Sequence, residues 1–180
     1  MAVSTAALGR AILTVYSIDK LVSEARRLAA EYRRATGKSL PVTAEIAVQD
    51  AIRLLGLQPA ESNAAGYDAL RVRNGKQERL QIKGRAIFDE SKSGHRIGQL
   101  RLEQPWDVVV LVLMDEHYEP CEIYEADRDT IVETLNDPSA SRRTARGLLS
   151  VTRFKIIGRL VWTRERGLED DGYWDNQAKR

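Results

Sequence analysis

The sequence predicts an α/β (α+β) fold in which a mixed central sheet is flanked by helices. Apolar residues recur at helical spacing in 17–36 and again in 43–55. Two strand-like segments flank Asn74-Gly75, and residues 107–115 form an almost unbroken apolar run. The predicted order along the chain is helix, helix, four strands, helix, strand, which favours helices packed on a sheet.

Both N-terminal helices carry start and stop signals. The first, residues 17–36, begins with Ser17 as N-cap and ends at Gly37. The second is expected to begin with Thr43 as its cap and to end at Gly56.

A β-hairpin is predicted from Tyr67–Val72 and Arg79–Phe88, because Asn-Gly is the preferred two-residue hairpin turn. Side chains alternate along a strand, so Gln81 and Lys83 are expected on one face and Ile82 on the other.

The rest of the chain alternates polar loops with apolar segments. In order we predict a basic loop at 89–101, a buried strand at 107–115, a strand at 121–126, a helix at 128–135 capped by Asp127, a second basic loop at 137–147 and a strand at 154–162.

Length and composition predict one domain over residues 1–166, with a helix at about 17–36, a core at about 43–162 and a polar tail at 167–180. The single cysteine, Cys121, excludes an intramolecular disulfide and favours a cytoplasmic location. The sequence contains no run of eighteen apolar residues, so we expect no membrane span.

Charge is strongly segregated along the chain. Residues 69–101 hold nine Lys/Arg against three Asp/Glu, residues 102–139 hold one against eleven, and residues 140–166 hold eight against one. If the two basic segments meet in space they form a patch suited to a polyanion. If they stay apart, they are solvated faces that keep the protein soluble.

The residues with the clearest chemical potential are Asp68 and, thirteen positions later, Gln81-Ile82-Lys83. Mg²⁺ takes hard oxygen ligands, which the Asp68 carboxylate, the Gln81 amide and the Ile82 carbonyl all supply. Lys83 is suited to orienting or deprotonating a water beside a phosphate. Glu45 on the preceding helix is a candidate second carboxylate.

This succession of helix acid, strand acid and Gln-x-Lys resembles the PD-(D/E)xK nuclease superfamily. It is most similar to members with a Gln-x-Lys variant, such as restriction-endonuclease-like and Mrr-like nucleases. The resemblance covers about residues 43–130 in order and implies an αβββαβ core. Two positions depart from the family pattern: Tyr67 stands where a proline precedes the acid, and Gln81 replaces the usual acid.

The resemblance implies a nuclease, expected to be an endonuclease, with Mg²⁺ or Mn²⁺ as cofactor and double-stranded DNA as its partner. Its catalytic residues would be Glu45, Asp68, Gln81 and Lys83, and its metal ligands Asp68, Gln81, Ile82 and Glu45. Residues of the two basic loops and their surroundings are the candidates for nucleic-acid binding: Arg85, Lys92, His95, Arg96, Arg101, Arg142, Arg143 and Arg146.

Two other functions are consistent with the same residues. Because Gln81 removes a negative charge, the chain is alternatively an inactive nucleic-acid-binding module on the same fold. The acidic segment 102–139 instead favours a protein-interaction domain that meets a basic partner. A homodimer through the apolar stretch before Ser17 is a further expectation.

Overall fold

The computed structural model describes residues 18–37, 39–61, 64–88, 94–138 and 141–169. The chain divides into two compact units, with the boundary between Leu40 and Pro41. Ser17, Lys92, the N-terminal apolar stretch and residues 170–180 lie outside the described residues.

The first unit is represented by helix α1, Ile18–Thr36. It ends as expected at Gly37, whose φ is 72° and whose N–H donates to the carbonyl of Arg33 at 2.8 Å. Arg27 forms exposed ion pairs with Glu24 and Glu31 one turn away on either side. The polar face of this helix is therefore a solvated one.

The described part of the second unit is built on a seven-stranded, mostly antiparallel sheet in the order β1-β2-β3-β5-β6-β8-β9, and among these strands only β3 and β5 pair in parallel. Its strands are β1 Gln58–Pro59, β2 Ala69–Arg73, β3 Lys76–Ala86, β5 Val108–Met114, β6 Pro120–Asp127, β8 Arg159–Thr163 and β9 Gly167–Leu168. Strands β4, Arg96–Gln99, and β7, Leu148–Ser150, pair separately. The helices are α2 Val42–Leu55, α3 Arg128–Asn136, α4 Arg142–Ala145 and α5 Val151–Ile157.

The predicted hairpin is present as β2 and β3. Asn74 and Gly75 have φ values of 52° and 74°, the left-handed pair that a two-residue turn of this type requires. Pairing reaches the turn itself, with Arg73 opposite Lys76. Strand β3 therefore begins three residues earlier than the sequence indicated.

The two faces of the sheet bury different partners. Leu80 and Ile82 lie in one apolar cluster with Ala47 and Ala51 of α2. Across the sheet, alternate β5 residues pack in a second cluster around Trp106, Ile131 and Phe154. The register places Gln81 beside Val109 and Lys83 beside Leu111, both of this second cluster, so Gln81 and Lys83 share the face opposite Ile82.

Several sequence expectations need correction. Helix α2 starts at Val42 with Pro41, not Thr43, at its cap position, because the Pro41 carbonyl accepts from the N–H groups of Ala44 and Glu45. By contrast, Asp127 caps α3 as predicted, accepting from the N–H of Thr130.

The expected loop at 89–101 contains strand β4, and the expected loop at 137–147 contains the short helix α4. The strand expected at 154–162 is instead the end of α5 followed by β8. Ser150 caps α5 through the N–H of Arg153, and a helix of seven residues is too short for its period to be distinguished from a strand by spacing.

The element order also differs from the αβββαβ succession. Strands β5 and β6 lie between β3 and helix α3, and the described part of the β3–β5 connection carries strand β4. The architecture is thus a mixed α/β one with several helices. Along the described ranges, no helix is both long and apolar enough to cross a membrane.

Candidate functional site

Glu45, Asp68, Gln81 and Lys83 all line one cleft of about 520 Å³. The residues around them include Gly66, Tyr67, Ile82, Gly84, Arg101 and Gln104. The four residues selected from the sequence are therefore brought together by the fold, although 36 positions separate Glu45 from Gln81.

The cleft forms where the edge of β3 becomes open. Strand β2 ends its pairing at Ala69, which lies opposite Leu80, whereas β3 continues to Ala86. Beyond Leu80 the strand is paired with β5 on its other side only. Side chains from both faces of β3 reach this open edge, and Asp68 lies at its start.

The Asp68 carboxylate is held against the β3 backbone. Its Oδ2 accepts the N–H of Ile82 at 2.7 Å, and its own N–H donates to the carbonyl of Leu80 at 2.8 Å. The N–H and C=O of one strand residue point to the same side of the strand. The Ile82 carbonyl therefore faces the same edge as the Asp68 carboxylate.

Gln81 is 6% exposed and is oriented by two acceptors. Its Nε2 donates to the carbonyl of Gly66 and to Oε1 of Gln104, both at 3.0 Å. A carbonyl oxygen can only accept, so the Gly66 contact assigns the amide nitrogen unambiguously. Gln81 Oε1 is then buried and, among the described residues, without a hydrogen-bond donor.

Gly66 allows this arrangement by its backbone conformation. Its φ is +90°, and a Cβ at this position would lie 2.7 Å from Cβ of Gln104 and 2.9 Å from Cδ of Pro105. Glycine is the residue that tolerates both the positive φ and the close approach. The segment before Asp68 therefore packs tightly on the loop that carries Gln104.

Lys83 is half-buried in the cleft. Burial lowers the pKa of its ammonium below the ordinary value, the positive charge of Arg101 lowers this pKa further, and the Asp68 carboxylate partly opposes both. No described carboxylate lies within 4.0 Å of the Lys83 ammonium. Desolvation without a close counter-ion is a feature of lysines that exchange protons at moderate pH.

Glu45 reaches the cleft because α2 lies very close to β3. A Cβ on Gly84 would be 2.5 Å from Cβ of Ala47 and 2.7 Å from the carbonyl of Thr43. The missing side chain lets the first turn of α2 contact the strand. Glu45, in that turn, is thereby placed on the rim shared with Lys83.

The two basic segments meet through the β4–β7 ladder. Arg96 lies opposite Ser150, and its guanidinium donates to the carbonyl of Leu148 at 2.8 Å. Arg101 lines the cleft, and together with Arg146 it also lines a neighbouring cavity of about 460 Å³. Arginines of the two basic segments thus lie along the cleft, the ladder and the neighbouring cavity, whose lining also includes Glu103.

The other predicted nucleic-acid contacts are not part of the cleft lining. Arg85, Arg142 and Arg143 are exposed on β3 and α4. His95 precedes β4, and its Nε2 is buried with no hydrogen-bond partner among the described residues. Lys92 lies outside the described residues.

Sequence reasoning missed Gln104, whose Oε1 accepts the second hydrogen bond of the Gln81 amide, and Arg128, which holds the loop that carries Gln104. A signal for Arg128 was present, since it is the only lysine or arginine in the acidic segment 102–139. Nothing in the local pattern marked Gln104.

The residues that line the cleft carry two carboxylates, the Gln81 side-chain amide and the Ile82 main-chain carbonyl as candidate oxygen ligands. Among the described residues, no group of three or more His, Cys, Asp and Glu side chains is arranged to hold a metal. A hard cation bound here would take at most two protein carboxylates and would share its remaining positions with water or phosphate.

A scan against protein-family models finds no match for this chain, and a search of curated proteins finds none. The chemistry of the cleft is therefore inferred from the residues that line it.

Proposed function

We propose that this protein is a metal-dependent nuclease of the PD-(D/E)xK type, with a Gln-x-Lys variant of the motif, that hydrolyses phosphodiester bonds in DNA. The observation that carries the proposal is that Gln81, whose buried Oε1 has no donor among the described residues, lines one cleft with Asp68, Glu45 and Lys83. A buried acceptor without a donor is costly, and a bound cation would satisfy it.

Mg²⁺ or Mn²⁺ fits the oxygen ligands carried by the residues that line the cleft. Asp68, Glu45, Gln81 Oε1 and the Ile82 carbonyl would hold it, and all of them are hard oxygen ligands. When bound, the cation supplies charge neutralisation for the phosphate and makes a nearby water more acidic.

Lys83 is assigned to the attacking water. Its lowered pKa makes the neutral amine accessible at milder pH than for an exposed lysine, so it can accept a proton. In its charged form the same ammonium stabilises negative charge that develops on phosphorus-bound oxygens. Its position beside Arg101 concentrates positive charge at one end of the cleft.

The surface beside the cleft supports a nucleic-acid substrate. The β4–β7 ladder joins the two basic segments, and Arg101 and Arg146 line adjoining cavities along it. A strand of phosphates would meet these side chains as it passes the cleft, which makes the affinity salt-dependent. Double-stranded DNA is the substrate expected, with internal cleavage.

The experiment compares wild type, Lys83→Ala and Lys76→Ala on linear and circular DNA with Mg²⁺, with Mn²⁺ and with chelator. Lys76 is an exposed lysine of the same strand, at the hairpin end. We expect similar cleavage by wild type and Lys76→Ala and at least about a hundredfold slower cleavage by Lys83→Ala, while all three bind DNA similarly. Cleavage by Lys83→Ala at the wild-type rate would exclude this assignment.

A second candidate function is binding of nucleic acid without hydrolysis. It is favoured by Gln81, because both amide hydrogens are engaged by Gly66 and Gln104 and the residue brings no negative charge to a cation. It predicts salt-sensitive DNA binding by wild type and no product with any divalent metal.

A further inference from the structure

Arg128 connects helix α3 to the loop that borders the cleft. It is the first residue of α3, and its N–H donates to the carbonyl of Asp107 at 2.9 Å. Its guanidinium donates to the carbonyls of Gln104 at 3.0 Å and Trp106 at 2.7 Å, and also to that of Leu102. One side chain therefore binds three alternate main-chain carbonyls of the same loop.

The ring of Trp106 completes this anchor. The Arg128 guanidinium lies over the ring, with Cζ 4.5 Å from its centroid, and Trp106 itself is fully buried. The indole Nε1 donates to the carbonyl of Arg101 at 2.9 Å. The loop is thus fixed at Arg101, Leu102, Gln104 and Trp106 by two side chains.

The charge of Arg128 is not used for an ion pair. It stands alone among eleven acidic residues in the segment 102–139, yet no described carboxylate lies within 4.0 Å of it. Among the described residues, its guanidinium donates to main-chain carbonyls alone. The hydrogen bonds of Arg128 therefore hold the loop in its conformation.

The conformation of this loop places two of its residues, Arg101 and Gln104, in the lining of the cleft. Gln104 accepts an amide hydrogen of Gln81, which leaves the Gln81 oxygen as the unpaired atom, and Arg101 is delivered to the cleft wall. We infer that Arg128 is a positioning residue of the site: by holding the carbonyls of loop 101–106 it orients Gln81 through Gln104 and places Arg101. The role of the oriented oxygen as a metal ligand rests on the proposed function.

The test uses three full-length variants, Arg128→Ala, Arg128→Lys and, as control, Arg153→Ala. Arg153 is an exposed arginine of α5. The readout independent of activity is the side-chain amide spectrum of ¹⁵N-glutamine-labelled protein, with the Gln81 pair assigned through Gln81→Leu. Cleavage is followed as kcat and KM over a Mg²⁺ titration.

We expect Arg128→Ala to shift the Gln81 amide pair and to raise the Mg²⁺ concentration required for half-maximal rate about ten- to a hundredfold, as for other residues that orient metal ligands. KM for DNA at saturating Mg²⁺ should change little by comparison. Arg128→Lys should recover part of both effects, because an ammonium donates to carbonyls but lacks the planar fork. Arg153→Ala should match wild type.

Unmoved Gln81 signals in folded Arg128→Ala would overturn the inference. Should Arg128→Ala fail to fold, Arg128→Lys decides, since an unmoved Gln81 pair with an unchanged Mg²⁺ requirement overturns it equally. Failure of the proposed function gives a different result: wild type then cleaves no DNA, while the Gln81 signals still report whether Arg128 orients the amide.

Discussion

Two polar clusters occupy opposite ends of strand β3 and differ in how they are balanced. Near the hairpin, Arg71 donates to Glu78 at 2.8 Å and to Glu125 at 2.6 Å, and Arg159 lies 3.7 Å from Glu125. We call these four residues the ion-pair cluster. In the cleft, Lys83 has no described carboxylate within 4.0 Å, and the buried Gln81 oxygen has no described donor.

The difference is the one expected between a cluster that stabilises the fold and a cluster that binds a ligand. Burial opposes the charge of Arg71, yet the hydrogen bonds that its guanidinium donates to Glu125 and Glu78 more than offset the burial and raise its pKa. For Lys83 burial prevails, and the pKa falls. A cluster whose polar groups pair with one another stabilises the fold. A cluster with unpaired buried polar groups is more typical of a ligand-binding or catalytic site.

The largest expected effect is on catalysis at Lys83. Lys83→Ala should lower Mg²⁺-dependent DNA cleavage about 10²- to 10⁴-fold, the usual range for loss of a proton-transfer group. Its free energy of unfolding should stay close to that of wild type, because a half-buried ammonium with no close counter-ion among the described residues contributes little to stability. Steady-state cleavage and urea denaturation measure the two quantities. A large loss of unfolding free energy in Lys83→Ala would show that Lys83 stabilises the fold, as the ion-pair cluster does, and would contradict this prediction.

At Arg71 we expect the opposite result, a large loss of stability with catalysis retained. Arg71→Ala leaves Glu125, which is 5% exposed, with only the longer Arg159 contact, and should cost about 3 kcal/mol of unfolding free energy. Folded Arg71→Ala should still cleave DNA. Arg53→Ala, which breaks an exposed pair with Asp50, should cost less than about 1 kcal/mol. Equal losses in both variants would contradict the contrast drawn between the clusters.

A smaller effect is expected when the departure from the family motif is reversed. Gln81→Glu places a carboxylate oxygen against the Gly66 carbonyl, 3.0 Å from the present amide nitrogen, and should destabilise the metal-free protein by about 1–3 kcal/mol. Gln104 can turn its own amide to donate to the new carboxylate, which limits the loss. Mg²⁺ should restore more stability to this variant than to wild type. Thermal denaturation with and without Mg²⁺ measures the stabilisation of each protein. A larger stabilisation of wild type than of Gln81→Glu would contradict the prediction.

The smallest effect is a pH dependence. Because the folded-state pKa of Lys83 is lowered, the unfolded chain binds more protons between that pKa and the ordinary value of about 10.5. The stability of wild type relative to Lys83→Met should therefore rise with pH in this window, by at most about 1.4 kcal/mol per unit. Below the window the burial cost of the ammonium is fully present. A pH-independent difference, measured in chelator, would show that Lys83 is not desolvated.

Cleavage should follow the same titration. The rate should increase as Lys83 loses its proton and level off above its lowered pKa, since the neutral amine accepts the proton of the water. Lys83→Arg, which stays charged, should lose this dependence along with most of the rate. A wild-type rate that falls as pH rises would instead assign the charged ammonium to the reaction.

Much of the fold was predictable because its signals are local. Turn chemistry at Asn74-Gly75 and the alternation of β3 correctly predicted that Gln81 and Lys83 share a face. The continuous apolar run correctly predicted the buried strand β5. Strand β4 and the short helices α4 and α5 were missed, because their few residues carry too little periodicity to outweigh a polar or apolar composition.

The sequence by itself thus determined a hairpin with Asp68 beside Gln81-x-Lys83, a central strand and an acid on the preceding helix. Only the tertiary structure decided how Gln81 is oriented, how closely Gly84 lets Glu45 approach, and that the basic segments meet at β4 and β7. Arg128 and the carbonyls that it binds are 22 to 26 residues apart in the chain. Contacts over such distances form only when the chain folds back on itself, so no local pattern encodes them.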